Sequence, residues 1–187
     1  MSKVLILDSE TTGVGKTDQI IELAYAELQP VPIFKQTMWH KKDTVHNQRY
    51  MPSVPIHPAA SKVHGITYKE LLGKPKSETI EFPKDVEYMI GHQISFDHRM
   101  LGKPDVKLIC TMNLCKNIVK FTDITFPNVK LDTLVDVLCP THIKGTTHSA
   151  LGDIMKNCAV LEELLKLLPN ITSWDELYSL QQSMKKK

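Results

Sequence analysis

Apolar residues gather in short runs in the first half of the chain and at helical spacing in the second. Val4–Leu7 is an apolar run closed by Asp8, the pattern of a central strand. Ile20–Leu28 is apolar except for Glu22 and Glu27, and predicts a second strand. Pro30 and Pro32 break the chain before a further extended stretch around Ile33–His40. Residues 41–55 are polar and contain proline, and read as a loop. Pro58 suits the first turn of a short helix through Val63, and Tyr68–Leu72 another helical turn or two. Val86–Ile90 predicts a strand ending at Gly91, Phe96–Leu101 a helix, and Val106–Cys110 a buried strand.

From Thr111 the period changes. Met112, Leu114, Cys115, Ile118 and Val119 fall at helical spacing, as do Leu131, Leu134, Val135 and Leu138, with Pro140 as the stop. Ser149–Leu168 is the longest helical pattern, ended by Pro169. Ser173 with Glu176 three residues later forms a capping box for a last helix over about 173–184. Strands first, then strands alternating with helices, predict an α/β fold with a mixed sheet. At 187 residues this is one domain, with a core over about 3–168 and a lysine tail at 185–187.

Hydrophobic residues make up 42% and charged residues 24%, an ordinary globular balance that excludes a disordered or fibrous chain. No apolar stretch approaches the ~20 residues that span a bilayer, and the N-terminal run is too short for a signal-peptide core. A cytoplasmic protein without membrane partners is expected. Cys110, Cys115, Cys139 and Cys158 include no Cys-x-x-Cys pair, so reduced, buried thiols are expected rather than zinc. Lys and Arg number 23 and Asp and Glu 21, a formal charge of +2. Without the terminal lysines the balance is 20 basic against 21 acidic residues. Any polyanion must therefore be met by a local patch or by metal ions.

Gly13-Val-Gly-Lys-Thr17 resembles the end of a phosphate-binding P-loop. The first glycine of that pattern should stand at position 10, where this chain has Glu10. A carboxylate inside a phosphate cradle is electrostatically wrong, so a glycine-rich turn is expected instead. The adjacent acids read differently. Asp8 and Glu10 are two apart at a strand end, so both project to one face. They repel unless a cation lies between them, and oxygen ligands favour magnesium or manganese. The competing reading, a turn cap plus a solvated acid, is equally compatible with the pair alone.

Asp8-Ser-Glu-Thr-Thr-Gly13 resembles the first motif of the DEDDh 3′–5′ exonucleases, the family of the proofreading ε subunit of bacterial DNA polymerase III. Ile56, Pro58, Ala59 and His64-Gly-Ile-Thr67 resemble that family's I-x-P-x-A and H-G-I-T segment. Gly91-His-Gln-Ile-Ser-Phe-Asp97 resembles its second motif, usually G-H-N-x-x-F-D, with Gln93 in place of Asn. His148-Ser-Ala-Leu-Gly-Asp153 resembles the third, H-x-A-x-x-D. Ile109–Leu114 and Thr172-Ser-Trp174 point toward the exodeoxyribonuclease X branch.

The resemblance implies a ribonuclease-H-like mixed sheet flanked by helices. It implies a metal site of Asp8, Glu10, Asp97 and Asp153 holding two Mg²⁺ ions, with Mn²⁺ able to substitute. It makes His148 the base, with the four carboxylates also catalytic. The substrate is then DNA, single-stranded or at its 3′ ends, with nucleoside 5′-monophosphates as products. Exoribonuclease action on RNA and a noncatalytic binding module remain alternatives. Thr11, Thr12 and Gly13 are candidate substrate contacts, as are His64, Ile66 and Phe96. For His64 and Ile66 ordinary core packing is an equal alternative, and for Phe96 a core anchor is the default. Setting four acids aside as metal ligands leaves 23 basic against 17 acidic residues, so the near-neutral total averages an acidic pocket with a mildly basic remainder.

Overall fold

A computed structural model of the chain describes residues 3–29, 45–120, 122–140 and 148–185. Five strands, β1 (Lys3–Thr11), β2 (Ile20–Glu27), β3 (His46–Arg49), β4 (Val86–Gly91) and β5 (Lys107–Cys110), form one sheet in the order β3-β2-β1-β4-β5. β1 runs antiparallel to β2 and parallel to β4, so the sheet is mixed. The helices are α1 (Pro58–His64), α2 (Tyr68–Leu71), α3 (Ser95–Met100), α4 (Thr111–Ile118), α5 (Leu131–Leu138), α6 (Ala150–Lys166) and α7 (Trp174–Lys185). Within the segment expected to be a loop, 46–49 is instead an edge strand. Its sequence, His-Asn-Gln-Arg, has no apolar alternation. It is held by pairing with β2, by His46 stacked on Tyr25 at 4.5 Å, and by Arg49 bound to Glu22. The expected stretch around Ile33–His40, with Trp39, lies outside the described residues, as do His142 and most of the lysine tail.

Both faces of β1 are covered, which is why its sequence reads as a continuous apolar run. Val4 and Ile6 face the main core with Ala24 and Ala26 of β2 and the buried side of α6. Leu7, on the opposite face, packs with Met89, Ile94 and Cys110. The period-2 alternation therefore carries Asp8 and Glu10 to the α6 side and Ser9 to the other. Opposite Asp8 and Ile6 across the ladder stand Ala24 and Ala26, small residues beneath α6. A Cβ at Gly91 would lie 2.9 Å from the Leu7 carbonyl oxygen and 2.5 Å from Ile94 Cδ1, so glycine lets β4 end tight against β1.

The outer edge of β5 is closed by a side chain. The buried Gln181 amide of α7 accepts from Cys110 N at 2.6 Å and donates to Leu108 O at 2.9 Å, replacing a neighbouring strand. α7 is fixed by Trp174, buried and donating to Gln29 O at 3.0 Å, and by Asp175, which takes Lys107 at 2.8 Å. The Ser173–Glu176 capping box forms in both directions at 3.2 Å. All four cysteines are free and buried. Among the described residues no helix is long and apolar enough to cross a membrane.

Candidate active site

Asp8 and Glu10 leave β1 on the face covered by α6, and the first turn of α6 returns Asp153 to them. One carboxylate oxygen from each of these three residues lies within 4.8 Å of the others. Ser149 caps α6 by accepting from Gly152 N at 3.2 Å, which fixes the turn that carries Asp153. His148, half-exposed just before the helix, places Nδ1 3.7 Å from Asp153 Oδ2.

Asp97 stands beside this trio rather than within it. It sits on α3, 3% exposed, and its Oδ1 accepts from Ser9 Oγ at 2.6 Å. Ser9, the residue between the two β1 acids, thus ties Asp97 to the strand.

The electrostatics are those of a site built for cations. Burial pushes the Asp8 carboxyl well above the usual range, and Asp97, Asp153, Glu10 and Glu22 add to the rise. Glu10 is pushed up to about 8, by burial first and then by Asp153 and Glu22. Burial raises Asp97 to about 7, against the lowering effect of the Ser9 hydrogen bond. Carboxylates that repel one another in a partly dry site gain most from a hard, oxygen-seeking divalent ion, and the donor set fits Mg²⁺ or Mn²⁺. A resident positive charge faces the cluster. Lys156 Nζ lies 2.9 Å from Asp153 Oδ1 and 2.7 Å from Asp132 Oδ1, with its side chain 7% exposed. Burial disfavours its ammonium, but the bonds to Asp132 and Asp153 more than offset that.

The Thr11–Asp18 turn follows β1 directly. Thr12 is fully buried and Thr11 nearly so. Thr12 Oγ1 donates to Asp18 Oδ1 at 2.8 Å, Thr12 N donates to Gln19 O, and Thr12 O accepts from His57 N. Thr11 Oγ1 donates to Gly13 O at 2.7 Å, so both threonine hydroxyls build the turn. A Cβ at Gly13 would meet His57 Cδ2 at 2.5 Å and Asp18 Oδ2 at 2.7 Å. Gly15 N donates to Asp18 Oδ2 at 2.6 Å, and Arg99 donates to Gly15 O and Val14 O. The glycine-rich turn is thus held by its own aspartate and by α3, and Glu10 lies in the strand.

Among the other candidate contacts, Ile66 is 2% exposed and packs with Ile21 and Leu71 in the core. His64 is buried, and its Nδ1 accepts from Ile66 N at 2.9 Å. Phe96 is half-buried with the Arg99 guanidinium 5.2 Å from its ring centre, rather than sunk in the core as a helix anchor. A cavity of about 560 Å³ beside the turn is lined by Gly13, Val14, His57, Ala60 and Val63. Another, of about 830 Å³, lies at the opposite ends of the strands, between Lys3, Val86 and Lys107.

Residues 5–161 match the RNase T exonuclease family. The chain belongs to that exonuclease family. This exonuclease is 27% identical over 170 residues to exodeoxyribonuclease 10 of Escherichia coli K12, an alignment covering 90% of this chain and 70% of that protein. The fold is similar to that of exonuclease X in complex with 5′-overhanging duplex DNA, with TM-score 0.64, 22% identity, and coverage of 87% of this chain and 91% of that one. It is also similar to E. coli exonuclease I in complex with a dA16 oligonucleotide, with TM-score 0.69, 15% identity, and coverage of 96% of this chain but 43% of that one. These matches bear out the expected mixed-sheet fold and a nuclease hydrolase.

Sequence reasoning missed four residues around the site: Ser9, Glu22, Lys156 and Asp132. Glu22 had a signal, a charge in the middle of an otherwise apolar strand. Lys156 had a weaker one, a basic residue three positions after Asp153 on the same helix face.

Proposed function

We propose that the protein is a divalent-metal-dependent 3′–5′ exonuclease that removes nucleoside 5′-monophosphates from DNA ends. The observation that carries this reading is the convergence of Asp8, Glu10 and Asp153 at one end of the buried strand, with His148 against Asp153. The similarity to exodeoxyribonuclease 10 supports DNA as the polymer.

Asp8, Glu10 and Asp153 would hold the ions, and Asp97 would complete the set with the oxygen not occupied by Ser9. Bound divalent ions supply positive charge to the attacking and leaving oxygens of an in-line displacement. The chain does the rest. Nδ1 of His148 faces Asp153, which leaves Nε2 to accept the proton of the attacking water. Half-exposure suits this role, because the proton must then pass to solvent. The Thr11–Asp18 turn is held from two sides, and its Gly13 and Val14 line the neighbouring cavity. A terminal nucleotide would lie against that turn and its neighbouring cavity.

The test is digestion of 5′-labelled DNA and matched RNA, single- and double-stranded, with Mg²⁺ or Mn²⁺. Stepwise shortening of DNA that EDTA stops and that Asp8→Ala abolishes is the expected result. Intact digestion by Asp8→Ala would remove the site assignment, and shortening of RNA alone would replace the substrate.

A further inference from the structure

Glu22 is a buried acid that the proposed chemistry does not use. It stands on β2 directly opposite Glu10, in the same row as the metal-site acids, and its side chain is 5% exposed. A further carboxylate there adds repulsion to Asp8 and Glu10. Burying such a group costs much less when its oxygens are committed to donors.

They are. Oε2 accepts the backbone N–H of Ala150 at 2.9 Å. Ala150 opens α6, two residues after His148 and three before Asp153, and its amide is one of the donors that a helix leaves without an internal partner. Oε1 accepts Arg49 Nε at 2.9 Å from β3. Arg49 Nη1 in turn reaches Glu70 Oε1 at 2.9 Å, and Glu70 Oε2 takes Thr67 N and Thr67 Oγ1, each at 2.7 Å. One hydrogen-bonded chain, Thr67–Glu70–Arg49–Glu22–Ala150, thus runs from the His64–Thr67 segment to the start of the helix that carries His148 and Asp153.

We propose that Glu22 and Arg49 are positioning residues, a brace that sets where α6 enters the sheet and so where His148 and Asp153 stand against Asp8 and Glu10. The inference rests on the proposed nuclease reading. Neither residue would touch substrate or metal. Glu22 fixes the helix end through the Ala150 amide, and Arg49 both neutralises Glu22 and ties it to Glu70 of α2. Arginine is required because its fork spans two carboxylates, which a lysine ammonium on a single stem does less well.

The experiment uses Glu22→Gln and Arg49→Lys in the full chain. The glutamine has one acceptor oxygen where two donors must be met, so either Ala150 N–H or Arg49 is left facing an NH₂ group. Two measurements are made: hydrogen exchange of the Ala150 amide in metal-free protein, and kcat and KM on a single-stranded DNA oligonucleotide with Mg²⁺. For Glu22→Gln we expect Ala150 exchange at least tenfold faster. We expect kcat lower by roughly 10–10²-fold, the cost of a catalytic group displaced by about 1 Å, with KM within about threefold. Arg49→Lys keeps the charge and should fall between wild type and Glu22→Gln in both readouts. Unchanged Ala150 exchange, or a KM effect without a kcat effect, overturns the brace. If wild type shows no digestion, the nuclease reading fails, while the exchange measurement still decides whether Glu22 holds the helix. If Glu22→Gln does not fold, Arg49→Lys carries the same two measurements, and its failure to move either one overturns the proposal.

Discussion

Replacing Glu10 with glutamine should stabilise the metal-free protein at high pH while removing its activity. In the unfolded chain the Glu10 carboxyl ionises near 4.5, and in the folded, metal-free chain it is pushed up to about 8. Between those values the folded protein holds a proton that the unfolded chain has released, so stability falls as pH rises from about 4.5 to about 8. Comparing pH 6 with pH 9 captures about two of those pH units. At ~1.4 kcal/mol per unit the ceiling is about 3 kcal/mol. Water reaches part of this side chain and raises the effective dielectric, so about 1–2 kcal/mol is expected. The amide of Glu10→Gln has almost the same shape but cannot ionise, and it should erase that part of the slope. Asp8 and Asp97 are also raised by burial and leave a residual slope in the variant. The assay is urea unfolding in EDTA at pH 6 and pH 9. The wild type should lose more stability over that interval than Glu10→Gln, by about 1–2 kcal/mol. Mg²⁺ should restore the wild type at pH 9 far more than the variant, because it replaces the proton with a cation. An equal loss in the two proteins would refute the reasoning and remove Glu10 from the repelling cluster.

Three further outcomes follow from the geometry. His148→Ala should lower the rate of DNA digestion by roughly 10²–10⁴, the usual cost of a lost general base, and a rate within threefold of wild type would remove it from that role. Gln181→Leu strips two partners from the edge of β5, and with each buried unpaired backbone group costing ~1–3 kcal/mol it should destabilise by about 2 kcal/mol in urea unfolding, after the gain from burying leucine. Gln93 has φ +59 and is exposed, so Gln93→Gly should stabilise by about 0.5–1 kcal/mol, and a destabilised variant would show that the glutamine side chain is needed there.

The strands with one dominant environment were legible. β1, β4 and β5 lie in the sheet interior or beneath helices, and their apolar runs say so. β3 was not legible, because its four polar residues are recruited by a neighbour rather than by a buried face. Its pairing is written in Tyr25, Glu22 and the exposed edge of β2, far away in the chain. The position of Gln93 was readable only as a departure from the family pattern. The backbone explains the family's asparagine rather than the glutamine, since a left-handed residue is where asparagine is better tolerated.

The same contrast runs through the site. Asp8 and Glu10 could be placed on one face from spacing alone, because strand geometry is local. Asp153 and Asp97 could be joined to them only through the motif resemblance, since their approach depends on how α6 and α3 dock. Glu22 was visible as an anomaly but not as a function, for its meaning lies in what its two oxygens hold. A charge inside an apolar strand has two physical explanations, a ligand or a brace. The register opposite Glu10 makes the ligand role tempting. The hydrogen bonds to Ala150 and Arg49 engage both oxygens, and a carboxylate held by a helix amide and a guanidinium belongs to the frame that aims the others.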